Sequence, residues 1–218
     1  MKTAIFDLDD TLWGHDYEKE SIFLSSRLGI LEVEHFKLEF YTALKKLNAY
    51  LRGREITESQ VIHFFEKNIQ TLSSITGNEL LNAFNLNEDA ILDEYVPSLL
   101  STLHKNDFNT IILTDWFDNC QLNALKRFDL LKFFKSMYSW SNLGHLKSDL
   151  RTVNKVIKGN TDDYIMIGDG LESDIAFANN ASIKSIWLNP QGKENHTIFV
   201  PTFEVKSLKE AEEILLNI

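Results

Sequence analysis

The sequence predicts an α/β protein: a doubly wound, Rossmann-like parallel sheet with an all-helical domain inserted after its first strand. Three observations carry this expectation. Short apolar runs without alternation recur at 3–6, 110–113, 164–167 and 183–188, as strands buried on both faces require. Helical patterns at 98–106, 118–128, 149–158 and 207–217 alternate with the later runs, the signature of βαβ units. The first two runs are separated by roughly a hundred residues, where a βαβ unit needs on the order of 30. The surplus is an insert.

Taken in order, Thr3-Ala4-Ile5-Phe6 forms the first strand and breaks at Asp7. Between about 16 and 91 no strand-like run occurs, and Phe36, Phe40, Leu44, Leu47 and Leu51 recur at helical spacing. Gly53 breaks that helix, and Thr57-Glu58-Ser59-Gln60 is a capping box that starts another. A further helix is expected after Gly77. The core is therefore assigned to 1–13 and 92–218 and the helical insert to 14–91, hinged near Gly14 and before Pro97. Weaker strands are expected at 137–140 and 202–205.

Composition bounds the function. The chain has 218 residues, 44% of them hydrophobic and 25% charged, with nine Gly and three Pro, which excludes low-complexity and disordered classes. A net charge of −10 argues against nucleic acid as a partner. The lone Cys120 allows no internal disulfide, which fits a reducing cytosol. No apolar run reaches the roughly 18 residues of a membrane span. Met1-Lys2-Thr3 leads straight into a strand with a charge at Asp7, so no signal-peptide core is expected. The expectation is a cytoplasmic protein, a monomer or small homo-oligomer, without membrane partners.

The informative feature is where carboxylates fall. The first strand ends in Asp7-Leu8-Asp9-Asp10-Thr11, and residues i and i+2 of an extended segment share a face. Asp7 and Asp9 held that close repel unless a cation or proton sits between them. A second acidic loop, Gly168-Asp169-Gly170-Leu171-Glu172-Ser173-Asp174, follows the strand at 164–167. Ligands of open α/β sheets bind beyond the carboxyl ends of strands, so both acidic groups should meet there, and such hard oxygens suit Mg²⁺. Thr114 ends another strand, and Lys147 precedes a helix starting near Ser148. A hydroxyl and an ammonium around a carboxylate nucleophile suit phosphoryl transfer.

These residues resemble the haloacid dehalogenase-like hydrolases: Phe6-Asp7-Leu8-Asp9-Asp10-Thr11-Leu12, Leu113-Thr114, Lys147 and Gly168-Asp169 through Asp174 stand in the family's order across essentially the whole chain. The resemblance implies Asp7 as nucleophile, Asp9 as general acid/base, and Thr114 and Lys147 as phosphate anchors. It implies a Mg²⁺ site formed by Asp7, the backbone carbonyl of Asp9, Asp169 and Asp174, the last also supporting the loop, with the insert as a cap over the substrate. Gly53-Arg54-Glu55-Ile56-Thr57 and Ile186-Trp187-Leu188-Asn189 look like the branch holding small nucleotidases and phosphoglycolate-type phosphatases. The chain departs from the family at three places. Asp115 and Trp116 follow Thr114 where Asn and Gly are usual, so Asp115 joins the phosphate site as a carboxylate that must turn away or find a cation. Ser148 replaces the usual Pro and can cap the next helix.

The expected activity is a Mg²⁺-dependent phosphomonoesterase acting on a small phosphorylated metabolite through an aspartyl-phosphate. Trp13 and Trp116 lie within two residues of the motifs and are expected to line the substrate pocket, which favours a nucleoside monophosphate over a glycolate or triose phosphate. Sugar-phosphate or phosphoglycolate-type phosphatase, phosphomutase and dehalogenase chemistry are alternatives, and a catalytically silent binding or regulatory module is the rival of another class. The six histidines (15, 35, 63, 104, 145 and 196) show no metal-ligand spacing and are expected at the surface or at caps. Cys120 is expected to be a packed thiol, and Arg52 and Arg54 to be solvated.

Overall fold

The computed structural model describes residues 1–86 and 90–218, Tyr17 by its backbone; residues 87–89 of the expected insert lie outside the described residues. β1 (Thr3–Phe6) is buried at every position, Ala4 and Phe6 in one apolar cluster and Ile5 in another. That period-two division is what covering both faces demands. A short strand, β2 (Trp13–His15), precedes four helices, α1 (Tyr17–Leu28), α2 (Val33–Leu51), α3 (Glu58–Asn68) and α4 (Gly77–Phe84). The chain returns through β3 (Ala90–Leu92), antiparallel to β2. Then come α5 (Val96–Lys105), β4 (Asn109–Leu113), α6 (Asp118–Arg127), β5 (Ser136–Tyr138), α7 (Trp140–Leu143), α8 (Leu150–Val156) and β6 (Tyr164–Gly168). After α9 (Ala176–Ala181), β7 (Lys184–Leu188) and β8 (Phe203–Val205), the chain ends in α10 (Leu208–Asn217).

The six-stranded sheet has the order β5-β4-β1-β6-β7-β8, and every pair is parallel. From β1 the chain builds outward through β4 and β5, then restarts on the other side of β1 with β6. The order therefore reverses at β1, and the carboxyl ends of β1, β4 and β6 lie side by side. An open α/β sheet presents its binding crevice at such a reversal.

The insert has its own apolar core. Phe36, Phe40, Ala43, Leu47 and Leu51 line the buried face of α2, and Leu44, expected on that face, is half-buried instead. Capping boxes at Thr57/Gln60 and Thr76/Glu79 start α3 and α4, each satisfying two otherwise orphaned N–H groups. Phe117, Trp140 and Leu146 of the sheet domain pack into the same cluster, and Phe84 stacks on Phe117 at 5.7 Å between ring centroids. The Ile56 N–H donates to Gly144 O across this joint at 2.8 Å. Among the described residues no helix is long and apolar enough to cross a membrane.

Three local features differ from the sequence expectation. The β2–β3 ribbon, with Trp13 opposite Leu92 and His15 opposite Ala90, spans both expected insert boundaries. Its strands are three residues long and pair across the whole insert, so no local alternation announces them. The strand expected over 137–140 stops at Tyr138, because the Ser139 side chain caps α7 and Trp140 begins it. The cap of α8 is Asp149 rather than Ser148: the Asp149 N–H closes a turn on Leu146 O and its side chain accepts from Arg151 N. That turn moves the helix start one residue along.

Candidate active site

The site begins where β1 runs out. The Asp7 N–H still continues the ladder, donating to Ile167 O at 3.0 Å. Beyond it the N–H groups of Thr11, Leu12 and Trp13 all converge on Leu8 O, closing a tight loop. Asp10 takes the left-handed conformation this loop needs (φ 58°), which Asp tolerates better than most residues. The loop turns two carboxylates, Asp7 and Asp9, into different surroundings.

Asp7 faces a charge cluster. Lys147, 3% exposed, places Nζ at 2.6 Å from Asp7 Oδ1 and 2.7 Å from Asp174 Oδ1. Asp174 is held in turn by the Gly170 N–H, which donates to Oδ2 at 2.9 Å. The chain leaves β6 through a wide π-type turn, Leu171–Ile175, that folds Asp174 back over Gly168. A Cβ on Gly168 would stand 2.2 Å from Asp174 Oδ2, so only glycine allows this approach.

The charges in this cluster do not cancel. Oxygens of Asp7, Asp169 and Asp174 all lie within 4.8 Å of one another, with one ammonium between them. Burial first, and repulsion with it, raise the pKa of each carboxyl to about 7; the repulsion comes from Asp169 and Asp9 at Asp7, from Asp174 and Asp10 at Asp169, and from Asp7 at Asp174. At Asp7 the effect persists although Lys147 opposes it. Lys147 itself is raised well above its usual range: burial opposes the charge, but Asp174, Asp7 and Asp115 outweigh it. Three hard oxygen donors whose charge one ammonium does not offset fit a divalent hard ion.

Asp9 faces hydrogen-bond donors instead. Its Oδ1 accepts from Trp13 Nε1 at 2.9 Å and lies 2.8 Å from His15 Nε2, and Oδ2 accepts from Gln121 Nε2 at 2.5 Å. Burial works to raise its pKa, but the bonds from His15, Trp13 and Gln121 and the charge of His15 hold it below the usual value. Gln121 also donates to Thr114 Oγ1 at 3.2 Å, joining the ends of β1 and β4. Its own Oε1 is buried and has no partner among the described residues. Asp115 turns its Oδ1 to the Lys147 N–H at 2.9 Å and the Trp140 indole at 3.2 Å, and burial raises its pKa.

A cavity of about 160 Å³ opens beside Asp9, between the sheet edge and the insert. Its walls are Phe23, Leu24, Leu44, Ala83 and Phe84 of the insert and Trp116 and Cys120 of the sheet domain. Asp9, Asp10, His15 and Glu20 supply polar lining. Of the two tryptophans expected at this pocket, Trp116 lines it. Trp13 is 1% exposed, packs against Phe128 in the sheet-domain core and reaches the site only through its indole N–H. Cys120 is buried, as expected. Arg52 is exposed, with Nη2 3.7 Å from Glu172, and Arg54 lies over the Tyr50 ring.

Asp7, Asp169, Asp174 and Lys147 thus meet in one cluster, and Asp9 and Thr114 are joined to each other through Gln121. Sequence reasoning missed His15 and Gln121. Gln121 carries no signal, being one polar residue on a helix, and His15 carries none either, because the three-residue strand that sets it beside Trp13 pairs only across the whole insert.

The family profile of the haloacid dehalogenase-like hydrolases matches residues 1–182. The chain belongs to this family. Among curated relatives, this haloacid dehalogenase-like hydrolase is 28% identical to the pyrimidine 5′-nucleotidase PynA of Streptococcus pneumoniae, covering 98% of this chain and 94% of that one. It is 28% identical to the pyrimidine 5′-nucleotidase YjjG of Escherichia coli over 96% of both chains. Among solved structures, the HAD-hydrolase YfnB of Bacillus subtilis, a magnesium-bound form, superposes with a TM-score of 0.77 at 24% identity over 100% of this chain and 99% of that one. An L-2-haloacid dehalogenase of Xanthobacter autotrophicus has the same fold, with a TM-score of 0.75 at 14% identity over 100% and 99%. The chain is thus a hydrolase of this family, and two of its curated relatives are pyrimidine 5′-nucleotidases.

Proposed function

We propose that the protein is a Mg²⁺-dependent phosphatase of nucleoside 5′-monophosphates that works through an aspartyl-phosphate on Asp7. The observation that carries this reading is the division of labour between two neighbouring carboxylates. Asp7 lies in the charge cluster with Lys147, while Asp9, two residues on, lines the aromatic-walled cavity. The nucleotidase relatives support the substrate class.

In this reading an Asp7 oxygen attacks phosphorus and the bond to the leaving oxygen breaks. Asp9, ionised at rest and protonated in the substrate complex, delivers its proton to that oxygen, and the alcohol departs. Asp9 then takes a proton from water as the water attacks phosphorus, which frees inorganic phosphate and restores Asp7. Lys147 and the Thr114 hydroxyl anchor the phosphoryl oxygens, and Asp115, bonded to the Lys147 N–H, fixes the backbone from which the lysine reaches in. Asp7, Asp169, Asp174 and the Asp9 carbonyl would hold Mg²⁺, which supplies charge neutralisation for the incoming phosphate. The insert acts as a cap, its apolar wall keeping bulk water off the acyl phosphate.

Released phosphate from a panel of pyrimidine and purine 5′-monophosphates, sugar phosphates and phosphoglycolate tests the assignment. Nucleoside monophosphates should be turned over fastest, and only with Mg²⁺ present. Chloride release from a haloacid, with no phosphate released from any ester, would replace this reading with dehalogenase chemistry.

A further inference from the structure

We propose that His15 is a positioning residue for Asp9: it holds the acid/base carboxylate in the one orientation that meets the leaving group. The inference rests on the acid/base reading of Asp9 above. A carboxyl group turns about a broad, weakly preferred χ2 torsion, so one hydrogen bond does not define where its oxygens point. Here both oxygens are occupied, Oδ1 by Trp13 and His15 and Oδ2 by Gln121. An ionised carboxylate only accepts, so His15 Nε2 is the donor in its 2.8 Å contact.

The two donors on Oδ1 come from one piece of architecture. Trp13 and His15 are i and i+2 on β2, so they share a strand face. Pairing with Leu92 and Ala90 of β3 sets their register. Trp13 approaches Asp9 from the packed core, whereas His15 lines the cavity where the leaving group must sit. The ribbon that carries the chain into and out of the insert therefore also aims the acid/base group. Displacing a reacting group by as little as 1 Å can cost about 10²-fold in rate, which sets the scale of the effect.

Leaving-group chemistry separates this role from a structural one. kcat/KM reports the steps up to alcohol release, where a proton matters greatly for a poor leaving group and little for a good one. It is measured with Mg²⁺ on a series of aryl phosphates of rising leaving-group pKa and on a nucleoside 5′-monophosphate. His15→Phe should steepen the dependence, losing about 10²-fold on the nucleotide and no more than about threefold on p-nitrophenyl phosphate. His15→Gln, which keeps an N–H donor, should recover part of the loss. An equal loss along the whole series, no loss, or a Gln variant as poor as Phe overturns the proposal. Asp9→Asn is the control for the underlying reading: if it fails to steepen the dependence, the acid/base role itself is wrong. If Asp9→Asn steepens it and His15→Phe does not, only the role of His15 falls. Should His15→Phe not fold, Trp13→Phe removes the other donor from Oδ1 and must show the same steepening; a parallel shift overturns the proposal.

Discussion

On the sheet side of the cavity, three carboxylates crowd together with one buried ammonium that pairs with Asp7 and Asp174, and every group depends on its neighbours for its charge state. On the insert side the wall is mostly carbon, from Phe23, Leu24, Leu44 and Phe84, with Glu20 and His15 as its polar members. The sheet side is positioned by topology, because the ends of β1, β4 and β6 meet wherever the strand order reverses. The insert side is positioned by helix packing, and several combinations of apolar side chains could fill the same wall. The difference teaches where sensitivity lies. One altered charge on the sheet side propagates through the cluster, whereas one altered ring on the facing wall changes the shape offered to a ligand.

Removing the shared ammonium should break the contrast most severely. Lys147→Met leaves Asp7, Asp174 and Asp115 without their common positive charge in a buried site. Phosphatase activity should fall by about 10²–10³-fold. Stability should drop by about 3–5 kcal/mol, as when one member of a buried charge network is lost. Denaturant unfolding of the metal-free variant, alongside initial rates, checks both. A variant with unchanged stability and rate would mean the charges are independent.

Metal and pH sharpen the same side. Asp7, Asp169 and Asp174 have folded-state pKa values of about 7, above the ordinary carboxylate value of 3.8. The folded metal-free protein therefore binds more protons than the unfolded chain between about pH 4 and 7, and it must lose stability as pH rises through that window. Mg²⁺ needs the ionised ligands, so its stabilising effect should grow with pH. Melting curves should show a metal-induced rise in Tm that is small at pH 5 and several degrees at pH 8. A rise independent of pH would place the ion elsewhere.

The smallest effect is expected at the aromatic wall of the cavity. Trp116→Ala removes an aromatic wall, and stacking a base on such a ring is worth about 1–3 kcal/mol. Its kcat/KM should fall on nucleoside monophosphates by about 10- to 100-fold and change little on glycerol phosphate. Equal losses on both substrates would show that Trp116 holds the cap rather than the base.

The same contrast explains what could be read without a structure. Asp7, Asp169 and Thr114 stand at the ends of apolar runs, and a parallel sheet can place such ends only along one edge. The charge cluster was therefore legible. Trp13 and Trp116 were equally close to motifs in sequence, yet only Trp116 faces the cavity. What separates them is the β2–β3 ribbon, which turns Trp13 into the core and depends on a partner strand beyond four helices. The donors from His15 and Gln121 to Asp9 were hidden for the same reason: one comes from that ribbon and the other from α6.

The central claim is that Asp7 is the atom-transferring group and Asp9 its proton partner. Asp9→Asn should still accept a phosphoryl group but release it slowly, because the attacking water lacks its base. Brief incubation of that variant with Mg²⁺ and p-nitrophenyl phosphate, whose leaving group needs no proton, then an acid quench and peptide mass mapping should find the phosphoryl group on the peptide carrying Asp7. The double variant Asp7→Asn, Asp9→Asn should carry none. Phosphorylation at another residue, or substrate turnover by Asp7→Asn with no phosphorylated peptide in either variant, would contradict the account.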